Sequence, residues 1–191
     1  MKLDLLCNVI SGQIISRLKT KSGETPSDIR SARILMPKAI RDGGVIHDDL
    51  DVAQISKDLS PNFLTKEGDI IFKLSSPYGA AYIDKTEEGL LVPSFCCRLT
   101  EIRDVDPFFL LAYLNSKAAM HQYEVACGGS VVAILKINSV RNLEIPELPS
   151  AMQAEIGKRY RSILELRYLV ENVFSLEKER FEVLFKETVE C

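Results

Sequence analysis

Seven basic residues, Arg17, Lys19, Lys21, Arg30, Arg33, Lys38 and Arg41, fall within residues 17–41, against only Glu24 and Asp28. Residues of these types suit one chemistry in particular. An arginine fork meets a guanine edge through two parallel hydrogen bonds, and lysine meets a phosphate as a point charge. A solvated loop with surface charges has the same composition, so the stretch is a candidate contact with nucleic acid. The whole chain carries 24 Lys and Arg against 27 Asp and Glu, a net charge of −3. Phosphate binding depends on a basic face rather than a basic average.

Lys73, Ser75, Ser76 and Tyr78 form a second cluster, in which hydroxyls and a lysine suit phosphate oxygens. A polar hairpin turn fits them equally. Ser75-Ser76-Pro77-Tyr78 lacks the first proline of the adenine-methyltransferase motif, and no glycine-rich strand-to-helix turn for a methyl donor is present. Gly128-Gly129-Ser130 has the makings of an anion-binding nest but reads better as a turn. The two histidines, His47 and His121, have no nucleophile paired with them in sequence and read as structural or surface residues. The five cysteines (Cys7, Cys96, Cys97, Cys127 and Cys191) include no CxxC pair, which argues against a zinc site and for reduced, buried thiols in a cytoplasmic protein. The expectation is a chain with no catalytic residues, no metal and no cofactor.

The elements that must position these residues fall into two regions. Hydrophobic residues make up 46% and charged residues 27%, ordinary for a packed domain. No apolar run approaches the roughly 18 residues of a membrane span, and the N-terminus is a poor signal peptide. Residues 1–149 read as mixed α/β with a preference for strands. Strands are expected at 34–36, 70–73, 80–83, 89–92 and 95–99, with turns at Asp42-Gly43-Gly44 and Gly68-Asp69. Asp106-Pro107 should cap a helix over residues 108–120. A short helix or turn is expected around Asn138-Ser139-Val140, before an extended segment broken by Pro146 and Pro149.

Residues 150–191 are proline-free and rich in Glu, Lys, Arg and Leu. Ser150 and Gln153 have capping-box spacing. Apolar residues then recur three and four apart at Met152, Ile156, Tyr160, Ile163, Leu166, Val170 and Val173. The spacing predicts one helix from about 151 to 188, roughly 57 Å long at 1.5 Å per residue. A domain of this size is only about 30–35 Å across, so the far half should protrude and its apolar seam should need a partner. The residues assigned to that interface are Ile156, Tyr160, Ile163, Leu166, Val170 and Val173. A break near Glu171-Asn172, folding the helix back as a hairpin, is the competing arrangement. A partner helix from the same chain, from a second copy or from another subunit fits the pattern equally.

Several of these motifs, in order, resemble the recognition domain of the type I restriction–modification specificity-subunit family. Leu64-Thr65-Lys66-Glu67-Gly68-Asp69-Ile70-Ile71 resembles its "Leu, spacer, Gly-Asp-Ile-Leu" motif. Pro77-Tyr78-Gly79-Ala80-Ala81-Tyr82, the helix beginning at Asp106-Pro107, the Gly128-Gly129 loop and Ile145-Pro146-Glu147-Leu148-Pro149 leading into Gln153 and Ile156 follow in the family's order. The resemblance implies an α+β, strand-rich target-recognition domain over residues 1–149, then a long helix over 150–191 that pairs as an antiparallel coiled coil. It implies sequence-specific recognition of double-stranded DNA, with no catalysis by this chain, directing separate methyltransferase and restriction subunits. A complete subunit of that family resembles two such halves, so a homodimer of this chain is expected. A module that has lost its DNA contacts and serves only to assemble a methyltransferase complex is the alternative, and the net charge favours it.

Overall fold

The run Ile70-Ile71-Phe72-Lys73 is apolar on both faces, the pattern of a strand covered on both sides. In the computed structural model, which describes residues 1–18, 30–55, 59–128 and 134–189, all four residues are buried. The elements in chain order are α1 (Leu3–Leu6), β1 (Asn8–Ser11), β2 (Arg30–Ile34), β3 (Ile40–Arg41), β4 (Gly44–Val45), β5 (Asp51–Ile55), β6 (Ile70–Lys73), β7 (Ala80–Tyr82), β8 (Cys96–Thr100), α2 (Pro107–Leu114), α3 (Lys117–Ala126), α4 (Ile137–Arg141) and α5 (Ser150–Val189). Strand β6 lies inside a four-stranded antiparallel sheet of order β1-β8-β6-β7.

Alternate residues of β6 enter different cores, as the two-residue strand period requires. Ile70 and Phe72 pack with Leu99, Leu110 and Tyr123 beneath α2 and α3. Ile71 faces the other way, against Leu35, Ile40, Ile83, Leu90 and Val92. A third cluster forms under the two-stranded ribbon β2–β5, where Ala32, Ile34, Ala53 and Ile55 alternate with exposed neighbours. The ribbon is antiparallel, with Arg33 opposite Val52 and Ile34 opposite Asp51. Among the described residues, no helix is long and apolar enough to cross a membrane.

Several expectations need correction. The strand expected at 34–36 lies at Arg30–Ile34, and its partner β5 was not anticipated. Of residues 89–92, Leu90, Leu91 and Val92 are buried, but the segment makes only isolated bridges, Leu91 to Ile34 and to Leu64, because it threads between two clusters instead of joining a ladder. The helix expected over 108–120 is two helices. Asp106 caps α2 as anticipated, accepting from the N–H groups of Phe108 and Phe109 at 2.9 Å. The chain then breaks at Asn115, whose side-chain amide pairs with both the N–H and the C=O of Ala80, at 2.9 and 3.1 Å. It takes the place of a fifth strand at the β7 edge. Ser116 then caps α3, accepting from Ala119 N–H.

Helix α5 runs unbroken for 40 residues, about 60 Å at 1.5 Å per residue. The break near Glu171-Asn172 does not occur. The capping box does not form either. Ser150 is already the first helical residue, and the Gln153 amide accepts from Asp106 N–H at 3.0 Å and donates to Leu148 O at 2.9 Å. Gln153 thus joins the start of α5 to the start of α2. The helix packs along α2 through Ile156, Gly157, Tyr160 and Leu164, and every residue from 168 to 189 is exposed. The mixed, strand-rich body and the long C-terminal helix agree with the fold class read from the sequence; the pairing of that helix lies beyond a single chain.

Candidate nucleic-acid interface

Five of the candidate residues converge from segments far apart in sequence. Lys38, Arg41, Lys73, Ser75 and Ser76, with Pro37, Asp49 and Pro77, line an open cleft of about 550 Å³. Lys38 comes from the 3₁₀ turn Pro37–Ala39, which starts with a proline that presets its φ. Arg41 ends β3, just before the two-residue hairpin turn Asp42-Gly43. Both turn residues have positive φ, 49° and 90°, the combination a tight hairpin of this hand needs. Gly44, grouped with them in the sequence reading, instead begins β4. The turn is seated on the body by Tyr82 N–H, which donates to Gly43 O at 3.0 Å, and by Arg167 of α5, which bonds Arg41 O and pairs with Asp42 at 2.9 Å.

The cations in this cleft are not equivalent. Lys38 Nζ lies 2.7 Å from Asp51 Oδ1, and the hydrogen bond to that carboxylate raises its pKa above the usual 10.5. The Arg41 guanidinium pairs with Asp49. Both pairs are largely solvated. Lys73 lies in the strand expected at 70–73. It ends β6, is 7% exposed and donates to Ile40 O at 3.1 Å, and burial lowers its pKa below 10.5. Its ammonium ties two strands together beneath the cleft floor. Ser75 bridges to Ile134, and the following Ser76–Pro77 peptide is cis. Tyr78 turns away from the cleft. Its hydroxyl lies 3.1 Å from Cys127 Sγ and its ring 5.2 Å from that of Tyr123, and burial, followed by the Cys127 contact, pushes its pKa up to about 12.

Arg33 stands on the exposed face of the ribbon β2–β5, while Arg30, exposed at the start of β2, has the strand parity of the buried Ala32 and Ile34; the ribbon leaves the cleft rim where Ile34 pairs with Asp51. Arg17, exposed, ends a 3₁₀ turn Ile15–Arg17. Lys19, Lys21, Gly129 and Ser130 lie outside the described residues. Among the described residues, no group of three or more His, Cys, Asp or Glu is placed to hold a metal. Sequence reasoning missed Asp49 and Asp51. Their role depends on which cation folding brings to them, and no spacing rule announces it. The β5 strand did leave a signal, the alternation Asp51-Val52-Ala53-Gln54-Ile55.

The apolar stripe of α5 separates into two faces. Ile156 and Tyr160, read from sequence as partner-interface residues, instead join Leu164 against the chain's own core, and Tyr160 OH accepts from Asn115 Nδ2 at 3.3 Å. Ile163, Leu166, Val170 and Val173 stay 60, 62, 59 and 61% exposed. The two sets lie roughly a quarter turn apart at 3.6 residues per turn, so a single heptad reading merged them.

No family model and no curated protein matches the chain. Its likeness is to solved structures. The HsdS subunit from Thermoanaerobacter tengcongensis superposes with a TM-score of 0.61 at 18% identity, over 98% of this chain and 47% of that one. The type I restriction–modification S subunit from M. genitalium gives 0.54 at 18% identity, over 97% of this chain and 44% of that one. A chain from a type I R-M system, described for its complex assembly and conformational transition, gives 0.58 at 18% identity, over 96% and 44%. The protein has, over nearly its whole length, the fold of type I restriction–modification specificity subunits, and it spans less than half the length of each of these three.

Proposed function

We propose that this chain recognises a DNA duplex by sequence, as a half specificity subunit of a type I restriction–modification complex, and directs separate methyltransferase and restriction subunits to the site. The observation that carries the reading is the cleft. Lys38, Arg41, Ser75 and Ser76 meet there from separate segments, beside a ribbon bearing Arg30 and Arg33, on a domain with the S-subunit fold. A two-stranded ribbon fits the major groove, about 12 Å wide, where arginine reads guanine; serine hydroxyls and lysine position the backbone. No bond is made or broken by this chain. The exposed seam Ile163, Leu166, Val170 and Val173 pairs with the same helix of a second copy, antiparallel, and sets the distance between two half-sites.

Selection of duplexes from a random pool by the purified protein, with and without its methyltransferase, tests the reading. A recurring sequence should emerge. Arg41→Ala should weaken binding by about 1–3 kcal/mol and relax the sequence preference. The carboxylates paired with Lys38 and Arg41 favour a second reading, an assembly module without DNA contacts. Failure to bind any duplex at low salt, alone or with the methyltransferase, would leave only that second role.

A further inference from the structure

Lys38 and Arg41 reach the cleft already paired, each with a carboxylate from one short segment. The acids are not loose surface charges. Asp49 ends the 3₁₀ turn His47–Asp49, which is held by hydrogen bonds from Ile46 N–H to Ala39 O and from Leu50 N–H to His47 O. The His47 ring is fixed 3.1 Å from Glu87. Asp51 opens β5 in register with Ile34. A fixed scaffold therefore delivers two carboxylates to the two cations that a phosphate would otherwise take.

We propose that Asp49 and Asp51 determine specificity by occupying Arg41 and Lys38, so that a bare phosphate backbone is a poor ligand and a duplex offering base amino groups to the freed carboxylates is preferred. The inference rests on the DNA-recognition reading above. Its physical basis is a contrast between two ligands. A phosphate that displaces a carboxylate leaves two anions side by side, which repel. The N4 amino group of cytosine and the N6 amino group of adenine donate hydrogen bonds, and a carboxylate accepts them. The same two acids thus penalise backbone-only contact and tolerate base reading, which is how a site rejects a wrong partner without losing the right one. Both ion pairs are solvated, so each is weak enough to open when the fitting ligand arrives.

The test compares the full-length wild type with Asp49→Asn, Asp51→Asn, the double variant and the charge-keeping Asp49→Glu. Each is titrated with a random-sequence duplex and with the duplex the wild type selects from a random pool, between about 50 and 200 mM salt. Urea midpoints and circular dichroism establish that each variant is folded. In the double variant, affinity for the random duplex should rise about ten-fold or more at low salt. Its salt slope should steepen by roughly 0.9 for each cation set free. Binding to the selected duplex should change much less, so discrimination falls, and Asp49→Glu should behave as wild type. If the wild type selects a sequence but the double variant binds random duplex with unchanged affinity and slope, the inference is overturned and DNA recognition stands. Equal gains from Asp49→Glu and Asp49→Asn would also overturn it, because the effect would then not be one of charge. If none of these proteins binds any duplex, with or without the methyltransferase, both the inference and the recognition reading fall.

Discussion

Gly157 of the long helix meets Asp106, the N-cap of α2, at a distance that admits no side chain: a Cβ at position 157 would lie 2.0 Å from Asp106 Oδ1. The same carboxylate oxygen accepts the N–H groups of Phe108 and Phe109 that begin α2. Beside it, Gln153 accepts from Asp106 N–H. One close approach therefore docks the rod and caps the helix it docks on. Gly157→Ala should gain about 1 kcal/mol in helix propensity and lose more, through overpacking at about 1–3 kcal/mol and a disturbed cap at about 1 kcal/mol. The expected net loss is about 1–3 kcal/mol, read from urea denaturation. A variant as stable as the wild type would mean that the two helices are not in this contact.

The Gly68-Asp69 motif has a structural duty. Gly68 adopts a φ of 88° at the turn, and Asp69 accepts Lys66 N–H at 2.9 Å and lies 2.8 Å from Arg98 Nε in an ion pair almost out of reach of water. That Nε makes an ionic contact rather than an aligned hydrogen bond, while Nη1 donates to Asn62 O and Leu64 O at 2.9 and 2.7 Å. Removing one charge leaves the other buried and uncompensated. Asp69→Ala should cost about 3–5 kcal/mol, and an equilibrium unfolding curve would show it. A loss below about 1 kcal/mol, the size expected for a solvated pair, would contradict the burial seen here.

Burial pushes the thiols of Cys7 and Cys96 from 9.0 up to about 12 and that of Cys97 well above 9.0. The thiolate is the reactive form, so these three cysteines should resist a thiol reagent in the native protein at mildly alkaline pH and react once urea unfolds it. The folded state favours the protonated thiol. Its contribution to stability is therefore complete below pH 9.0 and is lost as pH rises from there towards about 12. Rapid native labelling at Cys7 or Cys96, located by mass spectrometry of the digested protein, would count against the packing of the β1–β8 core.

Neighbouring residues of α5 should respond oppositely to substitution. Leu164 is half-buried against the domain, and its atoms touch Gly43 at the hairpin turn. Leu164→Ala should cost about 1–2 kcal/mol of stability, less than the 2–5 kcal/mol of a fully buried leucine, and leave the solution mass unchanged. Ile163→Glu with Val170→Glu, both on the exposed face, should alter the stability of the isolated chain by no more than about 0.5 kcal/mol per site and abolish any dimer. Sedimentation measures the second effect. A wild type that stays monomeric at high concentration would remove the paired-helix part of the proposed function.

What was legible in the sequence is what short-range chemistry decides. Asp106-Pro107 caps a helix because the oxygen and the N–H groups it serves are two and three residues apart. Asp42-Gly43 turns a hairpin because a tight turn of that hand needs two positive φ values. Residues 150–189 form one rod because a proline-free, strongly helix-forming run has no reason to stop. The rest depended on groups that meet only after folding. Asn115 breaks a helix to satisfy a strand edge 35 residues away. Ile156 and Tyr160 face inward because α2 lies on that side of α5. Lys73 points at a carbonyl 33 residues earlier, and Lys38 and Arg41 meet Asp51 and Asp49 across a turn. The free energy of a charge, or of an unpaired amide, is set by its nearest partner and by exclusion of water, and both are properties of the assembled tertiary structure.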